Sequence, residues 1–111
     1  MSPAMGAFEL AGRGDGEYAL TGELTFATAS LALKTTAGLF KNGDATLCFD
    51  LADIERSDSA GMALLIEWLR LAERAGTPLR YTHLPENLRA MARVSGVAEF
   101  LSTDPANPIT D

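Results

Sequence analysis

The sequence predicts a single α/β domain with a mixed sheet of about four to five strands and helices packed on it. Three observations support this. Two short strand-like segments flank a glycine-rich turn near the start, an apolar strand leads directly into a long amphipathic helix, and another strand follows that helix. A strand-helix-strand succession normally forms a parallel crossover. The chain has 111 residues, and 47% of them are hydrophobic, which suits one domain with its own core.

The N-terminal half contains a predicted hairpin and a predicted helix. The hairpin joins strands over Phe8–Ala11 and Glu17–Leu24 through the turn Gly12–Gly16, where glycine supplies the positive φ of a tight reversal. Apolar residues spaced within Thr28–Phe40 favour an amphipathic helix, and Asn42-Gly43 is expected to stop it.

The second half alternates strand and helix. Thr46–Leu51 is nearly all apolar, which predicts a strand covered on both faces, and a brief turn should follow it over Ala52–Arg56. The clearest helix is Ser59–Ala75, and Gly76 and Pro78 end it. The remaining predicted elements are a strand over Leu79–Leu84, a helix opening at Pro85 or Glu86 and reaching Val94-Ser95, and a short apolar segment over Val97–Leu101.

We place the domain at residues 8–101, with an N-terminal lead over 1–7 and a frayed tail over 102–111 that contains two prolines. The net charge of −6 argues against a nucleic-acid groove and against docking on anionic lipid. The single cysteine, Cys48, excludes an internal disulfide and is expected to be a buried small hydrophobe. The first residues lack a signal peptide, and no run is long enough to span a membrane, so we expect a cytoplasmic protein.

The most informative segment is Ser57-Asp58-Ser59-Ala60-Gly61 at the start of the long helix. It has three interpretations. Asp58 or Ser57 caps the helix, while Gly61 lets another backbone approach. Alternatively, Ser59 or Ser57 is phosphorylated, since a phosphate would meet the free N–H groups of the helix start. Catalysis is the weakest interpretation, because the chain has one histidine, His83, and no nucleophile elbow.

The long helix has more apolar surface than one contact requires. Its apolar arc spans roughly 220°, against the 100° or somewhat more that packing on one surface needs. An excess of this kind indicates a partner surface when it is exposed. Trp68 is favoured as a core residue, whereas Leu64 and Leu71 fit the core and an interface equally.

The order of elements and the segment Asp58-Ser59-Ala60-Gly61 resemble a STAS domain, the fold of anti-sigma-factor antagonists and sulphate-transporter tails. In that family the strand, the Asp-Ser/Thr-x-Gly loop and the following helix bind the partner protein. Anti-sigma antagonists carry the phosphorylated hydroxyl immediately before the glycine, where this chain has Ala60. A serine one residue earlier, at Ser59, is similar to the small STAS component of Mla-type phospholipid ABC transporters.

The resemblance implies a non-enzymatic subunit that binds a cytoplasmic ABC ATPase and lies at the inner membrane through it. The implied partner-binding residues are Asp58, Ser59, Ala60, Gly61, Leu64, Trp68 and Leu71. The alternative is an anti-sigma factor antagonist that regulates an anti-sigma kinase, with Ser59 or Ser57 as phosphoacceptor. A third possibility is a STAS module that binds a nucleotide or lipid by itself. No cofactor, metal, nucleic acid or direct membrane insertion is expected, and one histidine cannot build a metal site.

Overall fold

The computed structural model describes residues 7–41 and 46–96. The predicted closing segment over 97–101, the tail over 102–111, the lead over 1–6 and the helix stop at residues 42 and 43 lie outside these ranges. The elements in chain order are β1 (Phe8–Gly14), β2 (Glu17–Leu24), α1 (Ala29–Thr36), a 3₁₀ turn (Ala37–Leu39), β3 (Leu47–Ser57), α2 (Ser59–Ala75), β4 (Leu79–Thr82) and α3 (Glu86–Ser95).

The described strands form one mixed sheet in the order β1-β2-β3-β4. β1 and β2 pair antiparallel, whereas β2 with β3 and β3 with β4 pair parallel. The predicted mixed α/β fold and the N-terminal hairpin are therefore confirmed, but the predicted turn Gly12–Gly16 is too long, because β1 continues to Gly14. Asp15 and Gly16 form the hairpin turn with φ of 56° and 80°. A side chain at position 16 would lie 2.2 Å from the carbonyl oxygen of Thr46, so this turn packs closely on the chain entering β3.

The expected turn over Ala52–Arg56 is wrong, because β3 continues to Ser57. The second half of β3 pairs with the second half of β2, up to Leu24 opposite Ser57. Its side chains are largely exposed and charged, which gave it the composition of a loop. Backbone pairing rather than burial holds this part of the strand.

The first half of β3 alternates between two environments, so the expectation that both its faces are covered is also wrong for the described residues. Leu47, Phe49 and Leu51 are buried, while Cys48 and Asp50 are half-buried on the opposite face. Cys48 is consequently not the buried hydrophobe that its apolar neighbours suggested.

The helices agree with the predicted ones with small changes at their ends. α1 is shorter than Thr28–Phe40, because Thr28 precedes it and a 3₁₀ turn replaces its last part. The Thr28 hydroxyl donates to the carbonyl of Glu23 at 2.7 Å instead of capping the helix. α2 has the predicted bounds and ends at Gly76, whose φ of 70° is left-handed.

Trp68 of α2 lies at the centre of the core. Its ring stacks edge-to-face on Phe49 with centroids 5.1 Å apart, and its Nε1 donates to the buried hydroxyl of Thr36 at 2.8 Å. Tyr81 on β4 donates its hydroxyl to the carbonyl of Leu65 at 2.7 Å, and burial raises its pKa well above the usual value. α1, α2 and the sheet thus enclose one aromatic cluster.

Candidate functional site

The carboxylate of Asp58 organises the start of α2. Oδ1 accepts from the backbone N–H of Ala60 at 2.9 Å and from that of Gly61 at 3.3 Å, and the Gly61 N–H also donates to the backbone carbonyl of Asp58 at 2.9 Å. Oδ2 accepts from the N–H of Phe26 at 3.1 Å. One side chain therefore caps the helix, as the sequence predicted, and also holds the β2–α1 loop beside it, which the sequence did not indicate.

Gly61 is required by the packing of the helix start on β2. It is buried, and a Cβ at this position would lie 2.2 Å from the carbonyl oxygen of Leu24. The predicted close approach of a second backbone is confirmed, and that backbone is the end of β2. The position of Ser59 and Ala60 on the surface depends on this contact.

The two candidate serines have different environments. Ser59 is exposed in the first turn of α2, with its neighbour Ala60 half-buried. Ser57 is half-buried, and its hydroxyl donates to the amide oxygen of Asn87 at 2.7 Å while the amide nitrogen of Asn87 donates to its carbonyl at 2.8 Å. Ser59 is thus presented to solvent, whereas Ser57 joins the end of β3 to α3. No sequence signal pointed to Asn87.

The expected apolar flank of α2 is mostly internal. Leu64 is 3% exposed and Trp68 is 0% exposed, so in this chain both are core residues rather than exposed contacts. Leu71 is half-buried and packs against the same core. The physical reason is that α1 packs beside α2 and the sheet lies beneath it, so two surfaces share the wide apolar arc.

The apolar surface that is exposed near Ser59 comes from elsewhere. Phe26 in the β2–α1 loop is 87% exposed, although it is a large hydrophobic residue. A shallow groove of about 310 Å³ runs between α1 and α2. Its lining is Ala29, Leu33, Ala60, Ala63, Leu64 and Glu67. We call Phe26, Ser59 and this groove the docking face. Phe26 could have been noticed as an aromatic residue in the short segment between the predicted strand Glu17–Leu24 and the predicted helix Thr28–Phe40.

A second polar cluster lies on the sheet face opposite the buried core side chains of β3. The carboxylate of Asp50 accepts from Arg13 at 2.7 Å and from the N–H of Ala52 at 3.0 Å, and lies 2.9 Å from Nδ1 of His83. Burial acts to raise the pKa of Asp50, but these three neighbours outweigh it and the pKa is lowered. The hydrogen bond to Asp50 raises the pKa of Arg13 in turn.

His83 has a φ of 57°, a left-handed conformation that is uncommon for a residue other than glycine. It directly follows β4. The sequence predicted a polar residue near the end of a strand over Leu79–Leu84, but in the structure this strand ends at Thr82. The sequence did not indicate its contact with Asp50, since 33 residues separate the two. Among residues 7–41 and 46–96, no group of three histidine, cysteine, aspartate or glutamate side chains could hold a metal.

The sheet order and the capped start of α2 define a STAS domain. The sequence profile of the family described as "Mlab, STAS domain" matches residues 12–103, which is most of the chain, and the chain belongs to that family. A search of curated protein sequences found no match.

Solved structures share the fold. The anti-sigma factor antagonist SpoIIAA in its unphosphorylated form has a TM-score of 0.60 at 17% identity, covering 78% of this chain and 82% of that one. The anion transporter Slc26a9, murine solute carrier 26 family member A9 in the inward-facing state, has a TM-score of 0.59 at 19% identity, covering 80% of this chain. A crystal structure of Mglu has a TM-score of 0.54 at 26% identity, covering 70% of this chain.

The match spans 19% of the Mglu chain and 15% of the transporter, so in both cases it is a small part of a larger protein. Within the described part of this chain, no helix combines the length and apolar character needed to cross a bilayer.

Proposed function

We propose that this STAS domain is a non-enzymatic subunit that binds the ATPase of an Mla-type phospholipid ABC transporter and supports its assembly. The observation that carries the proposal is the docking face, which combines an exposed hydroxyl at Ser59 with an exposed aromatic side chain at Phe26 and an apolar groove. The family match supports it, because the matching profile is described as Mlab. On this proposal the protein is cytoplasmic and reaches the inner membrane through its partner.

The docking face is held rigid before any partner arrives. Asp58 bonds both to the first turn of α2 and to the loop that carries Phe26, and Gly61 seats the helix directly on β2. A surface ordered in this way loses little conformational entropy on binding. Burying the side chain of Phe26 under a partner would contribute about 2 kcal/mol.

The residues assigned to partner binding therefore divide into two roles. Ser59 and Ala60 are available for direct contact, whereas Asp58 and Gly61 act by holding the face in place. Leu64 contributes one wall of the groove although it is nearly buried. Trp68 and Leu71 support the helix from the core side.

Anti-sigma antagonism is the second candidate function. The exposure of Ser59 in the first turn of α2 favours it, since a phosphate there would meet the positive end of the helix dipole. Against it stands Ala60, which has no hydroxyl to phosphorylate at the position before Gly61. Incubation with an anti-sigma kinase and ATP, followed by mass spectrometry, separates the two: phosphate on Ser59 or Ser57 supports the antagonist.

The test of the first proposal is co-purification with an Mla-type ATPase. Phe26→Asp and Ser59→Glu change only exposed positions of the docking face and should abolish co-purification while the domain stays folded. Val94→Asp is the matched control, because Val94 is 90% exposed but lies on α3. Retained binding by both docking-face variants, or equal loss with the control, would contradict the proposal. Leu64→Asp is unsuitable, since it would place a charge in the core.

A further inference from the structure

The sheet face opposite the core side chains carries a small cavity that the docking face does not explain. Its volume is about 230 Å³, which is below the range of pockets that take drug-sized ligands. Side chains from all four described strands and from the residue after β4 line it: Arg13, Glu17, Cys48, Asp50, Arg80, Thr82 and His83. These residues come from three separate stretches of the sequence, 13–17, 48–50 and 80–83, which the strand order brings together.

Strand register arranges the lining into rows. Glu17 pairs with Cys48, and Cys48 pairs with Arg80, so these three residues form one row across β2, β3 and β4. Neighbouring strands are about 4.8 Å apart, which puts the backbones of Glu17 and Arg80 about 10 Å from each other. The short side chain of Cys48 between them leaves room above the sheet. The acidic residue Glu17 therefore lies on one side of the cavity and the basic residue Arg80 on the other.

In the next row, the charge of Asp50 already has partners within the protein. Asp50 accepts hydrogen bonds from Arg13 and from the N–H of Ala52 and contacts His83, so its charge is compensated within the protein. The left-handed backbone of His83 places its ring on that carboxylate. In contrast, neither Glu17 nor Arg80 makes a hydrogen bond or ion pair with any residue in the described ranges, although Glu17 acts through space on Arg13 and helps to raise its pKa. The two charged lining residues without a hydrogen bond or ion pair, Glu17 and Arg80, therefore have opposite sign.

From this charge pattern we infer that the cavity binds a small zwitterion, with its ammonium group at Glu17 and its oxyanion at Arg80. A simple anion would gain the contact with Arg80 but would be repelled by Glu17. A simple cation would gain the contact with Glu17 but would be repelled by Arg80. A molecule with both charges matches the two side chains without leaving either one opposed. The planar guanidinium of Arg80 suits two oxygens of one carboxylate or phosphate group.

Two sources supply this chemistry, a free amino acid and the headgroup of an ethanolamine phospholipid. Titrations of the full chain followed by ¹⁵N–¹H NMR should use β-alanine for the first and glycerophosphoethanolamine for the second. We expect at least one of these two ligands to shift the amide resonances of Cys48, Arg80 and Thr82. The ligand that binds more strongly identifies the source of the zwitterion. Glycerol 3-phosphate and ethanolamine, which each carry one of the charges, should bind about tenfold more weakly.

Variants then locate the site. Arg80→Gln and Glu17→Gln change exposed residues and should each weaken binding of the zwitterion about fivefold to tenfold. Arg74→Gln and Glu73→Gln on α2 make the same charge changes at exposed positions outside the cavity and should leave binding unchanged. The inference is overturned if neither zwitterion shifts these amides, or if glycerol 3-phosphate binds as tightly and Glu17→Gln strengthens it. Because the cavity is separate from the docking face, neither result bears on the ATPase proposal.

Discussion

Replacing Asp58 with alanine removes three hydrogen bonds at once, two to the first turn of α2 and one to the loop that carries Phe26. Loss of a helix N-cap costs about 1 kcal/mol. The bond to Phe26 is exposed, so its N–H returns to water and the loss adds about 0.5 kcal/mol. We therefore expect Asp58→Ala to lower the free energy of unfolding by about 1.5 kcal/mol.

Urea denaturation followed by circular dichroism measures this loss. With an m-value of about 1–3 kcal/mol per molar urea, the midpoint should fall by about 0.5–1.5 M, and Tm should fall by about 6 °C. Amide hydrogen exchange should quicken at Phe26 and Ala60, because their acceptor is gone, and less at Gly61, whose N–H also donates to the backbone carbonyl of Asp58 at 2.9 Å.

Two matched variants test the reasoning. Asp58→Asn keeps one acceptor oxygen for the cap and loses the other, so it should cost only about 0.5 kcal/mol. Asp53→Ala removes the same charge from an exposed strand position and should leave the midpoint near that of the wild type. A wild-type midpoint for Asp58→Ala, or equal damage from Asp58→Asn, would refute the assignment of this carboxylate as the helix cap.

Three further predictions follow from the core and the sheet. Gly61→Ala should destabilise the fold by about 3 kcal/mol, because its Cβ would lie 2.2 Å from the carbonyl oxygen of Leu24; an unchanged urea midpoint would contradict this. Trp68→Phe should lower the free energy of unfolding by about 2–3 kcal/mol, because it leaves a cavity and removes the hydrogen bond to Thr36. Thr36→Val should then lower this free energy less in the Trp68→Phe variant than in the wild type, when both are measured by circular dichroism. The lowered pKa of Asp50 stabilises the fold above the unfolded-state pKa, near the ordinary value of 3.8 for this side chain, and this contribution is lost as pH falls through the lower folded-state pKa. Asp50→Asn should therefore flatten the acid limb of the stability profile below about pH 4, and an unaltered limb would count against the cluster.

Local sequence was enough to determine most of the elements. Alternation in Glu17–Leu24 and the helical spacing of Ser59–Ala75 are short-range patterns, and both elements have the predicted bounds. The capping role of Asp58 and the close approach at Gly61 could also be predicted, because a helix start has unpaired N–H groups wherever it lies. The prediction of β3 was wrong at its end, since its exposed half is held by pairing with a distant strand.

Tertiary structure decided which surface of α2 is free. The sequence determined that the apolar arc of α2 is too wide for one contact and favoured Trp68 as a core residue, which is confirmed. Only the packing of α1 beside α2 showed that Leu64 is internal too and that Phe26 supplies the exposed apolar side chain. The meeting of Arg13, Asp50 and His83 likewise depends on strand order. The physical reason is that periodicity reports the environment along one element, whereas contacts between elements depend on how distant segments pair, which no local pattern encodes.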